Sequence, residues 1–409
     1  MNSRQIHPWV FMILIIPFGA ASGYGSVTLA YQLKEAGASV GEVAALVALG
    51  VLPQTWKFFW APVVDLTLSQ KKWYLIAGLL TAVGIGSMGF FPATKAGLSA
   101  LSAIVFVTSL ASTFLGMAVE SLLAHSTPQE LKGRAGGWFQ AGSLGGSGIG
   151  GGLGLLLFNR LHSPGAASCI VGGLCFLCSF ALIGVPASTR PAGGLSVLTS
   201  ITVTLKDVWG VVRRRKGALA LVLCILPIGS GAAPFSAVAT EWQASAETVA
   251  LVTGLLGGLI SAVGCLAGGW LCDRMNRQHA YVCFGLLQAA SAVAMALLPR
   301  NEPMFIYWVS VYNFANGLAY AAFTAFVLEA IGKGAAATKY NAMASLANLP
   351  IYYMTNVDGW AHDHWNSSGM LYTEAGLALA AGLGFLLTAK ILMRNNSETA
   401  GNAANQPAA

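Results

Sequence analysis

The sequence predicts an all-α integral membrane fold of twelve transmembrane helices in two six-helix, pseudo-symmetric halves. Three observations carry this. The 409 residues are 56% hydrophobic and only 9% charged, whereas a soluble domain carries about 25% charged residues. Twelve apolar stretches can be drawn, each near the about 20 residues that a bilayer-crossing helix needs. Scarce charged and glycine/proline landmarks in the first six stretches return in the last six at nearly one offset.

The spans, numbered 1 to 12 in chain order, cover residues 9–31, 42–66, 73–92, 98–124, 135–158, 167–186, 217–240, 248–272, 280–299, 303–330, 340–359 and 371–393. The start of the chain, a charge followed by an apolar stretch and small residues, imitates a secretory signal. The internal repeat favours reading it as a retained first helix. The predicted domains are an N-terminal bundle at 1–186, a cytoplasmic linker at 187–216, a C-terminal bundle at 217–394 and a disordered polar tail at 395–409. Within the linker, Leu195, Leu198, Ile201, Leu205, Val208 and Val212 recur at helical spacing beside Trp209 and a run of Arg and Lys. That pattern describes an amphipathic helix lying on the membrane face. An irregular linker is the alternative.

The chain carries 22 Lys and Arg against 15 Asp and Glu, a net charge of +7. Seventeen of the basic residues fall in the two termini and one set of connections, and four, Lys34, Lys95, Arg160 and Arg300, fall in the opposite set. This asymmetry obeys the positive-inside rule and puts both termini in the cytoplasm. It accounts for the basic balance without a nucleic-acid partner. Lys57 alone among the basic residues lies deep inside a span, Lys390 standing three residues from the end of span 12.

The repeat is read from residues. "IIPFGAASGYGS" at 15–26 resembles "ILPIGSGAAPFS" at 225–236, an offset of 210. Asp65 pairs with Asp273 at an offset of 208, and Glu120 with Glu329 at 209. Two six-helix units in the same orientation, with a cavity at their interface, are the arrangement of transporters built from parallel repeats.

Several chemistries find little support. Cys175 and Cys178 form a CxxC inside an apolar run with no second pair, which favours buried structural cysteines over a metal or redox site. "HDH" at 362–364, expected in an outer loop, lacks a further metal ligand. No phosphate-binding loop is present, and no convergent nucleophile–base set marks an enzyme. No cofactor is expected.

Span 8 and its loop read "GGWLCDRMNRQ". This resembles the G-x-x-x-D-R-x-x-R signature of the major facilitator superfamily, carried by Gly269, Asp273, Arg274 and Arg277, with Asn276 where a glycine is usual. "KFFWAPVVD" at 57–65, "TPQELKGRAGGWFQAG" at 127–142 and "ATKYNAMASLANLP" at 337–350 followed by Gly359 and Trp360 resemble the AmpG-type permease and peptide–acetyl-CoA transporter subgroup. Lys339 stands where that subgroup has a Gln. The resemblance implies the major facilitator fold in a bacterial inner membrane and proton-coupled import of a muropeptide-like solute. A siderophore importer of the same superfamily is the alternative. From another class, a non-transporting receptor or a membrane-embedded enzyme stays open. The resemblance also implies that Asp65 and Asp273, with Arg274 and Arg277, form gates in which an aspartate caps a helix of the other half. A carboxylate at the positive end of a helix dipole is the physical basis. The Gly-Pro element of drug/proton antiporters is missing from span 5, which weighs against efflux.

Candidate site residues follow from charge and amides inside the bilayer. Lys57 lies eight residues before Asp65, about 12 Å in from the membrane edge at 1.5 Å per residue. That is farther than a lysine stem reaches, so it needs a partner or water. Glu120 is the candidate partner. A static ion pair that fixes packing and an anion-binding lysine released by a titrating Glu120 are both open. Glu329 and Asp358 are further candidates for proton coupling. Asn313, Asn316 and Tyr320 share one face of span 10, and Asn341, Ser345, Asn348, Tyr352 and Thr355 share one face of span 11. Gln140, Ser143 and Ser147 share a face of span 5. Such stripes bond neighbouring helices or line a wet cavity. Tyr24 and Trp56 offer stacking surfaces for a ligand, or pack. The glycines of "AGSLGGSGIGGGLG" in span 5 predict close helix contact.

Overall fold

The structure is a computed structural model describing residues 7, 9–60, 63–64, 67–126, 132–185, 197–272, 274–331 and 336–404. Asp65, Asp273 and the Lys339 side chain, and with them the gating aspartates, lie outside the described residues. Every regular element among the described residues is helical, as a bilayer requires of a backbone that must satisfy its own hydrogen bonds. Seven helical stretches among them are long and apolar enough to cross a membrane. The other predicted spans also fall on helices, including Gln70–Met88 and Glu302–Ile331. Large apolar side chains such as Leu79, Val107, Leu259, Leu266 and Leu383 face outward, which is the surface a lipid-bathed bundle presents.

The first helix is continuous from Trp9 to Glu35. Its Phe11, Leu14 and Ile15 are fully buried, so it is part of the bundle. It packs on span 5 through glycines. Cβ atoms added at Gly142, Gly146 and Gly150 would lie 2.2 Å from Met12 O, 2.3 Å from Ile16 O and 2.0 Å from Ala20 O. These residues repeat every four positions, so one bare stripe of span 5 carries the backbone of span 1 along its length. Thr28 Oγ1 locks the pair by donating to Gly151 O at 2.7 Å.

Spans 1, 5 and 8 each contain a widened helical turn, at Tyr24–Leu29, Ile149–Leu153 and Ala250–Leu255. The last two meet across the halves. A Cβ on Gly254 would lie 2.6 Å from Gly152 Cα. Spans 2 and 11 meet similarly at that end of the molecule, where a Cβ on Gly359 would lie 2.9 Å from Gly41 Cα. Both contacts lie at the end away from the basic connections, called the outer end below.

Two expectations need correction. Span 7 is not one helix over 217–240. It runs over Arg215–Ile225, breaks, and resumes at Phe235–Val238 and Ala239–Trp242. Pro227 and Pro234 remove backbone donors, and Gly229 and Gly231 take φ of +64° and +63°, a region only glycine enters freely. The freed backbone is satisfied from neighbouring helices: Tyr281 Oη donates to Ile228 O, and Thr355 Oγ1 donates to Ala232 O at 3.4 Å. Spans 11 and 12 are not separated by an irregular loop. They join at a kink at Asn366, φ +60°, within a helical stretch that runs to Ala404. The helix thus enters the segment expected as a disordered tail at 395–409, because extending an existing helix costs far less than nucleating one. In the linker, Val197–Val212 is helical, with Leu198, Leu205 and Trp209 exposed and Arg213 over the Trp209 ring at 5.6 Å.

The glycine stripe makes a direct demand. Gly146→Ala places its methyl group against Ile16 O and should cost at least the ~1–3 kcal/mol of an overpacked core position. A lower melting temperature of the detergent-purified protein is the expected result, and an unchanged one removes the close-packing account.

Candidate functional site: a central cavity between the halves

A cavity lies between the two halves. Its basic-end lobe, of about 250 Å³, is lined by Gln54, Lys57, Glu120, Gln140, Asn316, Tyr320, Asn341 and Asn348 among others. Its outer lobe, of about 380 Å³, shares Phe18, Gln54, Ser143, Asn316 and Tyr320 with the first and adds Ser109, Tyr312, Asn313 and Thr355. The broken segment of span 7 contributes Gly231 to both lobes. A Cβ on Gly231 would lie 2.7 Å from Asn316 Oδ1, so bare backbone is what leaves room for that amide.

Lys57 sits on the tightened helical segment Leu52–Phe59. Its Nζ meets Glu120 Oε1 at 3.1 Å, with side-chain exposures of 14% and 21%, and stands 5.8 Å from the centre of the Phe18 ring. Glu120 Oε2 is buried without a hydrogen-bond partner. The pair is therefore formed, partly desolvated and only half satisfied on the carboxylate side. One wall holds this ion pair, and the facing wall from spans 10 and 11 supplies amides. Asn348 Nδ2 donates to Ala344 O at 3.0 Å and reaches Gln54 O of the other half at 3.5 Å. Asn313 Nδ2 donates to Val252 O at 3.4 Å.

The predicted site residues separate on this geometry. Lys57, Glu120, Gln140, Asn313, Asn316, Tyr320 and Asn348 line the cavity. Tyr24 is fully buried beneath Gly154 in the packing of spans 1 and 5. Trp56 and Tyr352 are half-buried, and neither is among the cavity-lining side chains. Glu329 is not at the cavity. It lies at the basic end between Lys216 and Arg277, whose Nη1 is 3.1 Å from Glu329 Oε2. Arg274 stacks on Trp270 of its own span at 3.8 Å and donates to Trp270 O. Asp358 is fully buried in the other half. Gln54, Tyr312 and Phe18 were not anticipated: Gln54 and Phe18 belong to no polar stripe, and Tyr312, one turn before Asn316, was not counted with its own.

The outer end is fastened by a carboxylate of span 11. Asp363 Oδ2 accepts from Ser39 Oγ at 2.7 Å and from Gly41 N at 3.1 Å, and so caps the helix that begins at Val40 in the other half. This is helix-dipole capping across the halves at the outer end, made by the "HDH" segment. His362 is held by Glu241, which also takes Arg300 at 3.1 Å and the Ser367 hydroxyl. Burial raises the Glu241 pKa, but the hydrogen bonds from His362 and Ser367 and the nearby charges outweigh it and hold it below the usual range. Among the described residues no His, Cys, Asp and Glu group is arranged to hold a metal.

The sequence signature of the Major Facilitator Superfamily matches residues 10–352. The chain belongs to that superfamily. It is 26% identical over 350 residues to the anhydromuropeptide permease of Escherichia coli (strain K12), covering 82% of this chain and 70% of that protein. It is 22% identical over 383 residues to the putative transporter AmpG 4 of Rickettsia felis, covering 86% and 91%. A mutant form of the nucleoside transporter NupG shares the fold at a TM-score of 0.71 and 11% identity, over 93% of this chain and 98% of that one. A D-xylose–proton symporter does so at 0.69 and 14%, over 92% and 96%. The chain is thus a multi-pass membrane transporter resembling AmpG-type permeases, not an enzyme. These relatives lend the siderophore alternative no support.

Two outcomes test the geometry. Lys57→Met strands Glu120 in the cavity wall and should destabilise the purified protein by about 3 kcal/mol, the cost of stripping one partner from a buried pair. Adding Glu120→Gln should restore part of that, and a simple sum of the two effects would deny the coupling. Outer-side labelling of a cysteine placed at the cavity-lining Val47 reports whether the outer end is open. It should rise in Asp363→Ala, and equal labelling in variant and parent would show that the latch does not hold this end shut.

Proposed function

We propose that this transporter imports a muropeptide-like, amphipathic or anionic solute by alternating access, driven by protons. The observation that carries the reading is the Lys57–Glu120 pair. It places a cation with a displaceable counter-charge on the wall of a central cavity, in a chain similar over most of its length to an anhydromuropeptide permease. A substrate carboxylate can take the place of Glu120 on Lys57, because both are anions of the same shape and the exchange leaves no buried charge unpaired. The amides of Gln140, Asn316 and Asn348 then face the polar groups of the rest of the solute. Glu120, released, is free to turn to the cavity and take a proton.

The latch at Asp363 is made in only one arrangement of the halves, as a switch requires. Opening the outer end breaks it, together with the Gly41–Gly359 and Gly152–Gly254 contacts. The basic connections support cytoplasmic termini in a bacterial inner membrane, with Asp65, Asp273, Arg274 and Arg277 working the inner gate. The exposed apolar face of Val197–Val212 with Trp209 suits the lipid surface on that side. Glu329, between two cations, is the less suitable of the predicted proton carriers, since a carboxylate so paired gives up its charge least readily.

Proteoliposomes decide the matter. Anhydromuropeptide should accumulate when an inward proton gradient is imposed and not when it is collapsed. Uptake that ignores the gradient removes the coupling, and no uptake of muropeptides beside robust uptake of another solute removes the substrate class. Lys57→Met should abolish accumulation, and normal uptake would reject Lys57 as the anion site.

A further inference from the structure

The C-terminal half holds a second set of buried ionisable groups, which the Lys57 site does not use. Asp358 on span 11 is fully buried, Glu374 on span 12 is 5% exposed and Tyr312 on span 10 is 2% exposed. The Tyr312 hydroxyl donates to Glu374 Oε1 and accepts from Ala233 N, in the broken part of span 7, at 3.5 Å. Both oxygens of Asp358 and Oε2 of Glu374 have no hydrogen-bond partner among the described residues. The two stand eight residues before and eight residues after the kink at Asn366, and a charge on either acts on the other. Among the described residues neither forms an ion pair, and Arg300, at that end of the half, is taken by Glu241.

A buried carboxylate normally has a cation or several donors, because removing a bare charge from water costs several kcal/mol. Two neighbouring carboxylates with no cation cannot both be ionised. The packing has therefore built a place that demands a proton. It also has a route in, since Tyr312 lines the outer lobe of the central cavity. We propose that Asp358 and Glu374 form a carboxyl–carboxylate pair that holds the coupling proton, with Tyr312 as its connection to the cavity. Asp358, without a donor, carries the resident proton. Glu374, which accepts from Tyr312, carries the charge. A proton arriving from the cavity is taken by the Tyr312 oxygen as the hydroxyl passes its own proton to Glu374. Tyr312 ends unchanged, and the pair goes from one proton and one negative charge to two protons and none. Unloading is the reverse. Asp358 precedes Asp363 on the same helix, so the change of charge occurs on the element that carries the outer latch.

The assignment rests on the proton-driven reading above, and its test separates the two. Infrared pH titration of the purified protein needs no substrate. A carboxylic-acid carbonyl band should be present at neutral pH, absent in Asp358→Asn, and present but no longer coupled to a second titration in Glu374→Gln. Glu329→Gln should leave it unaltered. In proteoliposomes, Asp358→Asn and Glu374→Gln should each lose gradient-driven accumulation while retaining exchange of preloaded for external muropeptide. Tyr312→Phe should slow accumulation and spare exchange. A wild-type protein lacking the neutral-pH band, a band unchanged in Asp358→Asn, or variants that still accumulate with the gradient would each overturn the pair. A wild-type protein that has the band but shows no gradient-driven uptake would leave the pair standing and overturn the transport reading instead.

Discussion

A bilayer offers no water to a buried charge, and the structure is organised around that constraint. The two halves meet it differently. In the N-terminal half, Lys57 is neutralised by Glu120 at 3.1 Å, which keeps a cation at the cavity wall in exchangeable form. In the C-terminal half, Asp358 and Glu374 share a buried site with no cation among the described residues, and only a proton relieves them. On the proposed reading, one half offers an anion site and the other a proton site, on either side of one cavity. Coupling in that reading is a question of which combinations of occupancy the two halves tolerate.

Rocking needs surfaces that pack closely and still part. Glycines supply both properties. Within the N-terminal half, Gly142, Gly146 and Gly150 bring span 5 onto the backbone of span 1, which makes a rigid pair. Between the halves, Gly152 meets Gly254 and Gly41 meets Gly359 through contacts with little side-chain interlock. The one directional bond set described at that seam is the Asp363 cap on Ser39 and Gly41. In the proposed cycle, an outer gate built this way would be tight when closed and lose few specific interactions on opening.

Much of this was legible in the sequence, and the reasons are local. Hydropathy counts residues along the chain, so the spans could be drawn without neighbours. The break in span 7 had its signal in "LPIGSGAAP", whose prolines and glycines cannot continue a helix, although apolar content concealed it. Lys57 and Glu120 could be matched by depth, because each lies a countable number of residues from a membrane edge. Glu374 had the same signal, a charge within span 12, but no motif to draw the eye to it. The "HDH" segment suggests only a metal site when read along the chain, and its role as a helix cap depends on a partner more than three hundred residues away.

The sequence alone determined the membrane class, the helical elements, the superfamily and the need for each intramembrane charge to find a partner, because these depend on composition and on spacing along one chain. The tertiary structure alone decided which partner was found. It turned Tyr24 into the packing of spans 1 and 5 and Tyr312 toward the cavity. It set Glu329 among cations and Asp358 beside Glu374, and closed the outer end with Asp363. Polar stripes marked some inward faces, but contact across the two halves is set by close packing of many distant residues, which no periodicity within a single span encodes.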